Sequence, residues 1–291
     1  GRLERLAVER FVRLCQDNRY FFDEEESQQV IDIVSCFRHT KGDAYGKQWL
    51  WLPWQYFFFA YIFGLKHKHS GLRVVRNVLL LTAKKSGKSE IAGALGVLMA
   101  FFDGENSAEC YSAANTYDQA KFCWDSGRKI LQQLRHENEW IDSILEVRTG
   151  QNSRSVKNLE TESFFNPLAA NASTLDGVFP HFSVIDELHA ASDNSIKENL
   201  ESGAIARAQP LLAIVTTRGF NSHGPLRSLE DSYIPILEGK WEDDTVFPLM
   251  FTIDEGDDWE DETVWEKANP GLGTTFSMDS LRKLYNTAKT E

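Results

Sequence analysis

The sequence predicts an α/β protein with a mostly parallel central sheet covered by helices on both faces. Three observations predict it. Apolar runs without alternation at 78–83, 182–187 and 211–217 suit strands buried on both sides. Stretches of helical length, amphipathic or rich in small residues, separate them. Each run also ends in residues that carry chemistry: Lys84 to Ser89, Asp186 with Glu187, and Thr216 with Thr217. Ligands of such sheets sit outside the carboxyl ends of the strands.

Residues 1–40 place Leu6, Phe11 and Leu14, then Val30, Ile33, Val34 and Phe37, at three-and-four spacing, which predicts helices. The run 49–64, WLWLPWQYFFFAYIFG, is broken by Pro53 and Gln55. It falls short of the roughly 18 unbroken apolar residues a membrane span needs, so it predicts a buried helix starting near Pro53. After a basic linker at 66–76 come the strand 78–83, a polar turn and a helix at 90–102 whose small residues allow close packing. A strand at 110–114 follows, and Thr116 opens the next helix with Gln119 placed for a capping box. Short strands are expected at 144–148, 156–159 and 163–170, then the strand 182–187, a helix at 196–206 and the strand 211–217. Beyond Gly224 the character shifts to a helix at 226–237, a strand at 246–253, the acidic loop DEGDDWEDET at 254–263 and two short helices. The expected organisation is an N-terminal helical segment at 1–70, a core at 71–223 and a small appended lid or linker subdomain at 224–291.

The net charge of −12 over 291 residues argues against a general affinity for polyphosphate. Any DNA contact is expected to be local, weak and salt-sensitive, with Lys66, Lys68, Arg73 and Arg76 as the candidate patch. The four cysteines lie far apart without zinc spacing, which fits a reducing compartment, and His67 with His69 lacks a third metal ligand. The mixed charges of the first ten residues do not form a secretory signal.

The stretch TAKKSGKSE at 82–90 matches the phosphate-loop pattern G-x-x-x-x-G-K-[ST] at Gly87, Lys88 and Ser89, with Thr82 in place of the first glycine. Such a loop turns backbone N–H groups and a helix start toward phosphate oxygens, which Ser86 and Gly87 would help to cradle. Lys88 would reach the β- and γ-phosphates, and Ser89 would give its hydroxyl to Mg²⁺. Asp186 would support the same ion through its water shell, and Glu187 would align or deprotonate the attacking water. Together these features predict an ATP-hydrolysing P-loop NTPase of the ASCE type, with ATP and Mg²⁺ as its ligands. Thr216 and Thr217 stand where the γ-phosphate state is sensed. Trp54 could wall a purine, and Gln55 could satisfy both donor and acceptor on an adenine edge.

With those residues in hand, the chain resembles the large terminase subunit of tailed bacteriophages, the ATP-driven motor that packs DNA into a preformed capsid. The resemblance runs from about Trp49 to Gly273. It is carried by WQY at 54–56, AKKSGKSE at 83–90, AANTYDQA at 113–120, LDG at 175–177, VIDELHA at 184–190, RAQP at 207–210, TTRG at 216–219 and ANPGLG at 268–273. In that family the phosphate loop often lacks its first glycine and holds basic residues, so Lys84 and Lys85 look like the family's basic loop positions, one of them contacting the γ-phosphate.

The resemblance implies nucleotide contacts over Trp54, Gln55 and Lys84 to Glu90, metal duty for Ser89 and Asp186, catalysis by Glu187, and coupling through Thr216 and Thr217. It implies as partners double-stranded DNA, a portal protein and procapsid, a small terminase subunit, and further copies in a homo-oligomeric ring, a pentamer when packaging and a monomer alone. No membrane is implied, and the location is the host cell cytoplasm. Where some terminases hold a trans-acting arginine this chain has Asp176, so Arg207 is the first choice for that role, followed by Arg148, Arg154 and Arg218. The acids from Asp254 to Glu262 lack a strand framework, so no nuclease activity is expected from this ATPase portion. Two rival readings are a superfamily 2 helicase, spelled by DELH at 186–189, and a nucleotide-binding assembly scaffold that does not hydrolyse ATP.

Overall fold

The computed structural model describes residues 1–150, 153–169, 177–219 and 223–290. Helix α1 (Arg2–Gln16) buries Leu3, Ala7 and Leu14 on one stripe. Helix α2 (Glu24–Ser35) starts at Asp23, whose side chain accepts the Glu26 N–H. Between them, β1 (Tyr20–Phe22) pairs antiparallel with β2 (Leu65–His67), so the N-terminal segment is not purely helical. Helix α3 (Pro53–Gly64) has Pro53 in its first turn, where the missing N–H costs nothing, and most of its aromatic residues are buried.

The core follows as β3 (Asn77–Leu81), α4 (Lys88–Phe101), β4 (Glu109–Ala114), α5 (Tyr117–Leu134) and α6 (Glu139–Ile144). Next are β5 (Leu145–Gly150), β6 (Ser153–Asn158), β7 (Phe164–Ala169) and β8 (Pro180–Asp186). The chain continues through α7 (Ser195–Gly203), β9 (Leu211–Thr216), α8 (Pro225–Leu237), β10 (Val246–Met250), α9 (Trp265–Ala268) and α10 (Met278–Thr290). The Thr116 cap is half of the expected box. Its hydroxyl accepts the Gln119 N–H, while the Gln119 Oε1 is buried without a partner among the described residues.

One eight-stranded sheet runs β10-β3-β9-β8-β4-β7-β6-β5, parallel from β10 to β7 and antiparallel at the β7-β6-β5 edge. Strands β8 and β9 are buried along their whole length, as their continuous apolar runs require. One expectation changes, and the strand order separates two elements of the site. The strand of the 224–291 segment is not part of a separate subdomain, because β10 pairs with β3 at the edge of the main sheet. The phosphate-loop strand and the acidic strand are not neighbours, because β9 lies between them and pairs with both.

Small residues bring α4 against α5 and β7. A Cβ built on Gly93 would lie 2.6 Å from the Gly127 backbone nitrogen, and one on Gly96 would lie 2.6 Å from the Phe165 ring. The expected basic patch is also corrected. Lys66 is buried and ion-paired to Glu26, and Arg73 is fully buried, bonded to Asp103 and to the Gln209 carbonyl under the Phe63 ring. Their charges serve the fold, which leaves Lys68 as the exposed lysine of that linker.

Candidate nucleotide site

Register brings three strand ends level on one rim. Leu81 at the end of β3 aligns with Thr216 of β9, and Val215 of β9 aligns with Asp186 of β8. Strand β9 ties the other two together: Thr82 donates its N–H to the Thr216 carbonyl at 3.2 Å, and Glu187 donates its own to the Val215 carbonyl at 3.1 Å. The loop after β3 then turns through positive φ at Lys85 (69°) and Gly87 (81°) and enters α4 at Lys88. Only glycine adopts that conformation freely, so Gly87 is required for its backbone and not for lack of space.

Lys84 and Lys85 are exposed on this loop, while Ser86 is fully buried with its hydroxyl unpartnered among the described residues. Lys88 is 7% exposed and folds back, its Nζ donating to the Thr82 and Ala83 carbonyls at 3.2 and 2.9 Å. Burial pushes its ammonium below the ordinary lysine value, while the charges of Glu187 and Asp186 oppose that shift. The Asp186 carboxyl is raised to about 6, first by burial and then by Glu187 beside it. The Cys123 thiol of α5 donates to its Oδ2 at 3.4 Å, inside the protein. Glu187 itself sits at φ 57°, a left-handed conformation uncommon for a residue with a side chain, and the chain leaves the strand abruptly there.

The residues present fit a magnesium nucleotide. An unpartnered buried hydroxyl in the loop, a lysine with two acids in electrostatic reach, and backbone N–H groups at the start of α4 are the donors and acceptors a triphosphate requires. Thr216 and Thr217 meet His189, to which the residue pattern assigns no role. Its Nδ1 lies 3.1 Å from the Thr216 hydroxyl, 3.4 Å from that of Thr217 and 3.0 Å from Glu187 Oε2. The signal was present in DELH, where a histidine stands two places after the glutamate in the turn that closes the strand.

Three expected site residues have other work here. Glu90 faces the N-terminal segment: its Oε1 accepts the Thr40 N–H and hydroxyl at 2.6 and 2.7 Å, and its Oε2 lies 3.0 Å from His39 Nδ1. His39 Nε2 accepts the Leu50 N–H, so its proton is on Nδ1 and is donated to Glu90. Gln55 uses its Oε1 to cap α3 by accepting the Leu52 N–H, and Trp54 packs edge-on against Phe251 with 7% exposure.

Arg207 is held within its own chain. Its guanidinium donates to the Phe179 and Ser107 carbonyls and to Glu105, stacks on Phe179, and lies before the first residue of β9, at the end of the sheet opposite the phosphate loop. Asp176 lies outside the described residues, Arg148 pairs with Glu146, and Arg218 pairs with Glu230. Arg154 stands over the Tyr117 ring.

The family model for the terminase large subunit, ATPase domain, matches residues 53–234. The chain belongs to that family. Protein YmfN of Escherichia coli (strain K12) is 33% identical to this terminase domain over 167 residues, covering 57% of this chain and 34% of that protein. The crystal structure of the HK97 bacteriophage large terminase superposes with a TM-score of 0.74 at 18% identity, over 91% of this chain and 52% of that one. At that identity the likeness speaks to the fold, which is that of a P-loop NTPase with its sheet flanked by helices. The terminase chain described here thus spans about a third and about half of the lengths of these two relatives.

Proposed function

We propose that this terminase domain hydrolyses ATP at the common rim of β3, β9 and β8, and that the energy released moves double-stranded DNA into a procapsid. The observation that carries the reading is the level alignment of Leu81, Thr216 and Asp186 at the ends of three consecutive strands, with Lys88 at the start of the helix after β3 and Glu187 directly after β8. In that reading the backbone around Gly87 and the hydroxyl of Ser86 receive phosphate oxygens. Lys88 leaves its two loop carbonyls to neutralise the β- and γ-phosphates. Ser89 and Asp186 hold the magnesium ion, which when bound neutralises charge on the transferring phosphate. Glu187 aligns a water for in-line attack, and Thr216 and Thr217 sense the outcome. Lys84 or Lys85, both exposed on the loop, adds charge at the γ-phosphate.

The partners of the whole machine follow from the same reading: duplex DNA, the portal and procapsid, a small terminase subunit, and further copies of this protein in a ring, in the host cytoplasm. Among the described residues, no helix is long and apolar enough to cross a membrane.

The test is steady-state phosphate release combined with nucleotide binding. Glu187→Gln should lower turnover by about a hundredfold or more while nucleotide affinity is kept. Lys88→Ala should weaken nucleotide binding by roughly tenfold or more, since it removes a charged donor from the phosphates. Full turnover by Glu187→Gln would overturn the role of Glu187, and nucleotide binding without phosphate release by the wild type would favour the scaffold reading.

A further inference from the structure

We infer that His189 is a positioning residue that links the Glu187 carboxylate to the tip of strand β9 through one shared proton. This rests on the reading of Glu187 as the water-aligning carboxylate. His189 lies in the single 3-10 turn Leu188–Ala190 that follows Glu187. The Thr216 hydroxyl donates its proton to the Thr217 carbonyl at 3.1 Å. A hydroxyl has one proton to give, so toward the imidazole Thr216 can only accept. The 3.1 Å contact with His189 Nδ1 therefore requires the ring proton on Nδ1. Glu187 Oε2, an acceptor only, lies 3.0 Å from the same nitrogen and competes for the same proton.

The ring has little freedom to leave this position. A Cβ built on Gly219 would come within 2.8 Å of His189 Cδ2, 3.0 Å of its Cβ and 3.1 Å of its Cγ, so the glycine of TTRG makes room for the imidazole. The His189 backbone N–H also reaches the Thr216 hydroxyl, at 3.4 Å. Thr216 in turn accepts the Thr82 N–H through its carbonyl, so the residue that holds the imidazole also holds the first residue of the phosphate loop. A shift of the loop's root moves Thr216, and the shared proton passes that shift to the carboxylate.

The experiment compares His189→Ala, His189→Asn and Gly219→Ala with wild type in kcat, KM, ADP affinity and melting temperature. With the link removed, His189→Ala should lose about 10- to 100-fold in kcat, the scale of a small misplacement of a reacting group, with ADP affinity unchanged. His189→Asn, whose amide N–H stands near the place of Nδ1–H, should restore most of the loss. Gly219→Ala, whose added Cβ would meet His189 first, should lower kcat by displacing the ring. A folded His189→Ala protein with wild-type kcat, or an equal loss in the alanine and asparagine variants, overturns the inference. Glu187→Gln measured alongside separates the two claims: if it turns over normally the reading of Glu187 falls, and if it is inactive while His189→Ala is normal only the link falls.

Discussion

At the scale of single residues, backbone conformation and hydrogen-bond inventory decide roles that residue type leaves open. Glu187 occupies the left-handed region directly after a fully buried strand, a strain of about 1 to 3 kcal/mol that the ladder bond to Val215 and the turn after it hold in place. Arg207 shows the converse. By type and place in RAQP it suggested a mobile arginine for a neighbouring subunit, yet Nε, Nη1 and Nη2 are all bonded within the chain. Arg207→Ala should therefore cost about 1 to 3 kcal/mol of stability, seen in a urea midpoint, with kcat per folded molecule unchanged. A large fall in kcat without loss of stability would restore it as a catalytic candidate. The sequence made the phosphate loop and the acidic pair legible because their chemistry is local: GKS and DE each follow a buried strand directly. It concealed the fate of Glu90, Gln55 and Arg207, whose partners are set by contacts as distant as 50 to 102 positions for Glu90 and Arg207, and by a helix cap for Gln55.

At the scale of elements, the helix after the phosphate loop is fixed by close approach. Gly93 and Gly96 of α4 face Gly127 and Phe165, and their missing side chains let the helix bearing Lys88 lie flat on α5 and the sheet. Gly93→Ala should destabilise the protein by about 1 to 3 kcal/mol through this clash, although alanine is the better helix former by about 1 kcal/mol in isolation. Equal or greater resistance to urea would show that the helices separate without cost. The Glu90 carboxylate ties the same helix to the 39–50 segment, so the start of α4 is held from the N-terminal side as well. Strand β9 is the element that makes a site out of three ends, because it alone pairs with both the loop strand and the acidic strand.

At the scale of the whole molecule, the sheet's two ends carry different work. The carboxyl end gathers the nucleotide chemistry, while the amino end is locked by a buried cluster in which Arg73 pairs with Asp103 and His181 Nε2 lies 2.6 Å from the Asp103 Oδ2. Burial by itself raises the Asp103 carboxyl, but the Arg73 guanidinium and His181 outweigh it and hold it below the ordinary value. Because the folded value is the lower one, this stabilisation is present above the unfolded carboxyl's pKa of about 4 and is lost as pH falls through the depressed value. Asp103→Asn strands the buried guanidinium and should cost about 3 to 5 kcal/mol at neutral pH. The gap in melting temperature between wild type and the variant should narrow below pH 4 or so. A gap independent of pH would mean that the charge of Asp103 contributes nothing.

The sequence by itself determined the fold class, the order of nearly every element and the identity of the three strand ends, because burial pattern and turn chemistry act over a few residues. Only the tertiary structure decided that β10 closes the edge of the same sheet, that β9 stands between the loop strand and the acids, and that His189 bridges Glu187 to Thr216. Strand order and cross-strand hydrogen bonds depend on how distant segments pack, and that information is spread over the whole chain.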